Sequence, residues 1–163
     1  MDLDEAFEAY VDDLYRYLFS LSKNHHTAED LVQETFYRAY LQLSEDTIDH
    51  IKAWLFKVAY YAFIDFTRKH KRLVISDEVH NRINMKTPES DFLEKEGFTA
   101  LMDDIHSLKE KEMHALLLCD LHGLSLRESA DILQLNLNTL KSHLSRGRKK
   151  VVERVKERRR QDG

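Results

Sequence analysis

Five small or cationic side chains near the end of the chain are spaced to share one face of an α-helix. At 100° per residue they fall opposite an apolar stripe: Asn138, Lys141, Ser142, Ser145 and Lys149. Such donors suit the major groove of DNA, where lysine can donate to guanine and asparagine can pair with adenine. Arg146, Arg148 and Lys150 are placed to meet phosphates. The alternative is a polar, solvated face on a terminal helix, so the spacing alone leaves both interpretations open.

A second set of side chains, in the middle of the chain, combines aromatic rings with charged groups. Six residues would lie within about 60° of one direction on a helix: Trp54, Lys57, Tyr61, Asp65, Arg68 and Arg72. Single-stranded DNA is bound by such surfaces, because rings stack on bases at about 1–3 kcal/mol each and cations neutralise the backbone. Trp54 and Phe56 could equally be core residues. The prediction therefore rests most on Lys57, Tyr61 and Arg68.

Catalytic and metal-binding motifs are missing from the sequence. It contains no glycine-rich phosphate loop, HExxH or CxxC, and its nine histidines show no ligand spacing. The single cysteine, Cys119, lies in the apolar run Leu116–Leu121 and is interpreted as a small buried hydrophobe. We therefore expect no enzymatic activity, no metal and no cofactor.

Composition and charge indicate a helical chain in two modules. Of 163 residues, 42% are hydrophobic and 33% charged, with only four glycines and one proline, so helices should dominate. The net charge of −4 would by itself repel DNA, but the charge alternates: −8 over residues 1–66 (5 basic, 13 acidic), +4 over 67–86 (6 and 2), −7 over 87–140 (4 and 11) and +7 over 141–163 (10 and 3). Each module thus ends in a basic segment that could face a polyanion, although basic residues also favour helix C-termini.

The cellular location is predicted from what the sequence lacks. No apolar run approaches the roughly 18–20 residues of a membrane span, and the N-terminus does not have a secretory layout. A lone cysteine fits a reducing compartment. We expect a cytoplasmic protein without direct membrane insertion.

In the first module, three helices are expected to enclose a core. Apolar residues from Phe7 to Leu21 mark the first, which is interrupted at Ser22–His26. A Thr27–Asp30 capping box opens the second. After the polar stretch Ser44–Asp49, the third runs from about Ile51 to Arg72. Residues 1–72 are therefore predicted to form an N-terminal domain.

In the second module, capping signals predict a helix-turn-helix. Residues 73–86 show no helical period and are interpreted as a flexible linker, and a new helix starts at Thr87-Pro88. Gly123 ends a later helix as a left-handed cap, Ser125–Glu128 is a capping box, and Asn136 caps the last helix. Residues 87–163 are predicted to form a C-terminal domain. The fold class is all-α, with two small helical domains.

Short stretches in both modules resemble one protein family. GLS at 123–125, ESA at 128–130, NTLKS at 138–142 and SRGR at 145–148 look like the promoter-reading domain of extracytoplasmic-function (ECF) sigma factors. AEDLVQETF at 28–36 and KAWLFKVA at 52–59, followed by Asp65 and Arg68, resemble the other domain of that family. These stretches occur in the family's order and spacing, so the resemblance spans nearly the whole chain except the linker.

The resemblance implies an alternative sigma factor that binds core RNA polymerase and directs promoter-specific initiation. The polymerase would be gripped through the β′ clamp helices, with the β subunit as a further partner, by Asp30, Gln33 and Glu34. The melted minus-ten element would be held by Trp54, Lys57, Tyr61, Arg68 and Arg72. The minus-thirty-five element would be read by Asn138, Thr139, Lys141, Ser142, Ser145, Arg146, Arg148 and Lys149. An anti-sigma factor, often membrane-anchored in this family, is also implied.

The sequence departs from the family pattern at several positions. Tyr61 stands where many members have an asparagine that helps to read the minus-ten element, while Gln134 replaces a turn glycine and Gly147 an alanine. Asn138 and His143 replace a glycine and an arginine. Two rival functions stay open on these grounds: a helix-turn-helix regulator that uses only the second module, and a sigma-like antagonist that binds polymerase without melting promoters.

Overall fold

The computed structural model describes residues 2–42, 49–73 and 96–162. Within these ranges the chain is helical and contains no strand, which confirms the all-α prediction for this part. The chain divides into two compact units, Met1–Thr87 and Pro88–Gly163. The predicted linker beyond residue 73, the polar stretch at 44–48 and the helix start at Thr87 lie outside the described residues. No helix in the described ranges is both long and apolar enough to cross a bilayer.

Three mutually packed helices form the first unit: α1 (Leu3–Ser22), α2 (His25–Gln42) and α3 (Ile51–Leu73). The core between α1 and α3 is closed by the Tyr17 and Phe56 rings, whose centroids are 5.0 Å apart. Both side chains are fully buried, as is Leu55. Phe56 is therefore a core residue, the alternative that the sequence left open. Burial also raises the pKa of the Tyr17 hydroxyl far above its ordinary value.

The junction between α1 and α2 is shorter than predicted. Lys23 adopts the left-handed conformation (φ 57°) that ends α1, and α2 begins at His25, so the interruption predicted at Ser22–His26 is present but confined to Lys23 and Asn24. The His25 ring stacks on Phe19 with centroids 4.4 Å apart, and this buried contact lets the helix begin early. The Asn24 side chain accepts a hydrogen bond from the Thr27 N–H at 3.0 Å. Asn24 therefore caps α2, and the predicted Thr27–Asp30 capping box is wrong.

The second unit contains four helices and a π-helical turn within its described residues. These are α4 (Glu96–His106), α5 (Glu110–Leu116), the π turn Leu117–Leu121, α6 (Leu126–Leu133) and α7 (Leu137–Asp162). Gly123 has φ 70°, as its predicted role as a left-handed cap requires. The helix α7 packs against α4, α5 and α6.

The predicted helix-turn-helix is formed by α6, a short turn and α7. The Ser125 hydroxyl accepts from the Glu128 N–H at 3.0 Å, and the Glu128 carboxylate accepts from the Ser125 N–H at 2.9 Å, so the capping box is confirmed. The Asn136 side chain accepts from the Thr139 N–H at 2.7 Å and caps α7, as predicted. Gln134 in the turn has φ 54°, a left-handed conformation that glycine would adopt without strain.

The inner face of α7 approaches α5 closely at Gly147. Leu140, Leu144 and Gly147 are buried, as their spacing predicts. A Cβ atom at Gly147 would lie 3.3 Å from the backbone oxygen of Glu112 on α5. The glycine therefore permits a close helix approach, which offsets its cost of about 1 kcal/mol relative to alanine in a helix interior.

Candidate nucleic-acid and protein interfaces

The polar face of α7 is open to solvent on the side away from the core. Seven of its eight predicted contact residues are exposed, namely Asn138, Lys141, Ser142, Ser145, Arg146, Arg148 and Lys149, and Thr139 is half-buried. The buried residues Leu140 and Leu144 hold the helix from the opposite side. The periodicity thus predicted correctly which side chains are presented by the second helix of the helix-turn-helix.

Three of the basic side chains of α7 that were predicted to contact DNA have acidic partners within the unit. Arg148 donates to Asp120 at 2.8 and 2.6 Å, and the Lys150 ammonium donates to Glu112 at 2.8 Å. The Arg146 Nε lies 3.5 Å from the same Glu112 carboxylate. Sequence reasoning considered these three cations only as DNA contacts and missed their role in tying α7 to α5 and the π turn.

Glu112 is the buried centre of this ion-pair network. Its side chain is only 1% exposed, whereas those of Lys150 and Arg146 are 41% and 55% exposed. The hydrogen bond from Lys150 holds the pKa of Glu112 below its ordinary value, even though burial acts in the opposite direction. A buried carboxylate with such partners is stable only while they remain in place. Glu112 thus fixes α7 on α5.

An open groove of about 460 Å³ lies beside the exposed face of α7. Lys141, Ser145 and Arg148 line it from α7, and Ser125 and Cys119 are among the residues that line it from the preceding segments. Lysine, arginine and hydroxyl donors of this kind can bind the phosphate oxygens of DNA. The groove is therefore part of the candidate nucleic-acid interface.

Cys119 differs from its predicted state. It is partly exposed rather than buried, and its thiol donates to the Ser129 hydroxyl at 3.2 Å. Burial nonetheless raises the thiol's pKa above its ordinary value. Among the described residues, no three histidine, cysteine or acidic side chains are grouped so that they could hold a metal ion.

The predicted aromatic and cationic stripe lies along α3 at the surface of the first unit. Trp54, Lys57 and Tyr61 are half-buried, and Arg68 is exposed. The Tyr61 ring meets the Tyr60 ring edge-on, with centroids 5.7 Å apart. The Arg72 backbone belongs to α3, but its side chain is outside the described part of the structure. The stripe thus offers partly open rings with at least one exposed cation beside them.

Asp65, on the same stripe, joins α3 to α2. It accepts from Arg38 Nη1 at 3.0 Å, and Arg38 Nε donates to Glu34 at 2.9 Å. Glu34 is accordingly half-buried, whereas Asp30 and Gln33 are exposed. This network holds one of the three predicted polymerase-binding residues, Glu34, at the surface of α2.

Large apolar side chains extend the same surface of α2. Tyr37, Tyr40 and Leu41 are 60%, 70% and 64% exposed. They follow Gln33 and Glu34 at three- and four-residue spacing, which places them on the same side of the helix. We call these five residues, together with Asp30, the α2 outer face. Sequence reasoning named only its polar half, although this spacing would have revealed the apolar half.

Comparison with known proteins gives matches in both units. The Sigma-70 region 2 family model matches residues 6–73, and the Sigma-70 region 4 model matches residues 99–151. A relative, the ECF RNA polymerase sigma factor SigM of Bacillus subtilis, is 50% identical over 80 residues, which are 48% of this chain and 49% of SigM. The match thus spans about half the length of that relative.

Other relatives match over most of the chain. The RNA polymerase sigma factor SigV of Bacillus subtilis is 31% identical over 143 residues, covering 86% of this chain and 82% of SigV. The sigma factor RpoE of Bartonella quintana, solved in complex with the anti-sigma factor NepR, superposes with a TM-score of 0.76 at 25% identity, covering 94% of this chain and 96% of that chain. The chain therefore belongs to the sigma-70 family of RNA polymerase sigma factors, within its ECF group.

Proposed function

We propose that this chain is an alternative sigma factor that binds core RNA polymerase and directs promoter-specific transcription initiation. The observation that carries the proposal is the pairing of two sigma-70 regions, in family order, with an exposed polar face on the helix-turn-helix of the second. The domains proposed are residues 1–72 and 87–163, with a flexible linker at 73–86. Polymerase performs the nucleotidyl transfer, and the chain supplies position and strand opening.

The α2 outer face is the proposed contact with the β′ clamp helices. Exposed carboxylate and amide groups at Asp30 and Gln33 suit an arginine-rich partner. The exposed rings of Tyr37 and Tyr40 would add apolar surface that is buried on binding. Burial of apolar surface stabilises a complex, whereas exposed polar pairs contribute little. An acidic patch with an apolar extension is consistent with binding a protein rather than DNA.

The α3 stripe is the proposed contact with the melted minus-ten strand. Half-buried rings at Trp54 and Tyr61 can stack on bases, while Lys57, Arg68 and Arg72 can neutralise phosphates. In the second unit, the α7 face is proposed to read the minus-thirty-five element, with the set Asn138, Thr139, Lys141, Ser142, Ser145, Arg146, Arg148 and Lys149. Its exposed donors match what base edges in the major groove accept.

An anti-sigma factor is the proposed regulator. RpoE of Bartonella quintana was solved with its anti-sigma factor NepR, and this chain resembles RpoE over nearly its full length. A membrane-anchored partner that covers the α2 outer face or the α7 face would keep the chain inactive. The chain itself is proposed to act in the cytoplasm without catalytic activity of its own.

The proposal is tested by asking whether polymerase and DNA binding depend on each other. Fragments from the host genome are incubated with the full chain, with core polymerase purified from the host bacterium, and with both. We expect retention of specific fragments only with both, since the free chain carries a net charge of −4. Sequence-specific retention by the chain alone, without affinity for core, would instead support a helix-turn-helix regulator.

Tyr61 motivates a second candidate, a sigma-like antagonist that binds polymerase without melting DNA. Tyrosine cannot reproduce the amide hydrogen bonds of the asparagine usual at this position in the family. Permanganate footprinting of retained fragments separates the two candidates. Reactive thymines around the minus-ten element are expected for a sigma factor, and their absence despite polymerase binding would favour the antagonist.

A further inference from the structure

Asp120 holds one edge of the Arg148 guanidinium. Arg148 Nε donates to one carboxylate oxygen at 2.8 Å, and Nη2 donates to the other at 2.6 Å. A paired contact of this geometry fixes both the position and the orientation of the planar group. Asp120 reaches Arg148 from the π turn Leu117–Leu121, which the His122 N–H closes by a bond of 3.0 Å to the Leu117 oxygen. Such turns are rare and occur frequently at functional sites.

The Arg148 guanidinium has more N–H donors than Asp120 engages, and this side chain lines the groove beside α7. An arginine carries five N–H donors, so the pair with Asp120 engages two and leaves three. Arg148 lines the groove together with Lys141 and Ser145, which lie seven and three residues earlier on the same helical face. The Arg148 side chain is 54% exposed and that of Asp120 is 35% exposed. Arg148 is therefore neutralised and oriented at once, on the surface proposed to meet DNA.

We infer that Asp120 is a specificity-determining residue that acts through Arg148. This inference rests on the proposed function, in which α7 reads duplex DNA. The carboxylate cancels the charge of Arg148 and so weakens its attraction to phosphates of any sequence. Asp120 also holds the remaining N–H donors of Arg148 in one direction. They can then bind an acceptor on the DNA only when a cognate duplex is bound against α7. Non-cognate DNA therefore loses the attraction of the Arg148 charge, whereas cognate DNA still receives the directed hydrogen bonds from Arg148.

The expected change in DNA affinity has two contributions, the release of one counterion and the loss of a fixed orientation of Arg148. Asp120→Asn adds one uncompensated cation, and a salt slope of about 0.9 per phosphate makes binding to any duplex about fivefold tighter at roughly 0.15 M salt. On the cognate duplex, this gain is opposed by the loss of a fixed orientation, which costs about two- to tenfold for a long side chain. Because the counterion gain applies to both duplexes, the ratio of cognate to non-cognate affinity should fall by the orientation cost alone, about two- to tenfold.

The test uses holoenzyme assembled from the full chain and host core polymerase. Wild-type holoenzyme first selects a duplex from a library with a randomised minus-thirty-five region, and a scrambled duplex of equal composition serves as the non-cognate probe. For Asp120→Asn we expect tighter binding to the scrambled duplex, a salt slope larger by about one, and an about two- to tenfold loss of discrimination. Glu153→Gln is the matched control, because it removes one exposed negative charge of α7 away from Arg148. It should leave the ratio unchanged.

A purely structural role for Asp120 predicts a different result. If the ion pair only ties α7 to the π turn, Asp120→Asn weakens binding to both duplexes alike and lowers the melting temperature of the protein. An unchanged ratio of cognate to non-cognate affinity therefore overturns the inference. Arg148→Lys retains the charge without the paired geometry, so it should lower the ratio, and Asp120→Asn added to it should lower the ratio no further. A further drop in that double variant also overturns the inference. If wild-type holoenzyme selects no sequence, the proposed function fails first and the inference falls with it.

Discussion

The buried carboxylate of Glu112 provides the most demanding stability prediction. Its side chain is 1% exposed and accepts from Lys150 at 2.8 Å, with Arg146 3.5 Å away. Hydrogen bonds to charged groups contribute about 1.5–3 kcal/mol, and screening of the 41% exposed Lys150 lowers the expected value to about 1–2 kcal/mol. For a unit of this size, Glu112→Gln should lower the melting temperature by about 5–15 °C.

The pH dependence of this difference follows from the lowered pKa of Glu112. Because Lys150 holds that pKa below its ordinary value, the stabilisation is complete above the unfolded-state pKa of about 4.3. It is lost as the pH falls through the lower folded-state pKa. The gap in melting temperature between wild type and Glu112→Gln should therefore be constant near neutral pH and shrink in acid.

The assay is thermal denaturation of the full chain, followed by circular dichroism and by tryptophan fluorescence. The single tryptophan, Trp54, lies in the first unit, so a helix-loss transition without a fluorescence change reports the second unit. Glu110→Gln is the control, because that side chain lies on the same helix and is 75% exposed. The reasoning about the buried pair is refuted if Glu112→Gln and wild type have the same melting temperature. It is also refuted if the difference between their melting temperatures does not change with pH.

Two further predictions concern the proposed binding faces. Lys141→Ala should weaken minus-thirty-five recognition about tenfold by removing an exposed donor, and an unchanged preference across single-base variants in holoenzyme binding would remove Lys141 from the readout set. Glu34→Lys should impair core binding by reversing a charge on the α2 outer face and by breaking the 2.9 Å bond to Arg38. Wild-type affinity in a pull-down, with Glu8→Lys on α1 as the charge-matched control, would count against that face.

Local features of the fold were predictable from the sequence. The cap at Asn136, the capping box at Ser125–Glu128 and the buried positions Leu140 and Leu144 each depend on residues within a few positions of one another. Helical periodicity and capping chemistry describe such short-range relations, and they predicted the helix-turn-helix correctly. The resemblance supplied the family, which the comparisons confirm.

Features that depend on distant parts of the chain were not predictable in the same way. The pairs Asp120–Arg148 and Glu112–Lys150 join residues 28 and 38 positions apart, and no spacing rule identifies them. The π turn that carries Asp120 has no local sequence signal of its own. In each case a tertiary contact decides the local geometry, which propensity alone does not describe.

The central claim is that this chain gives core RNA polymerase its promoter specificity. In vitro transcription with purified host core enzyme tests it most directly, using a library of candidate host promoters with and without the chain. We predict discrete, promoter-dependent transcripts that appear only when the chain is added, from a restricted subset of templates. The same transcript pattern with and without the chain, or no initiation at any template, would contradict the account.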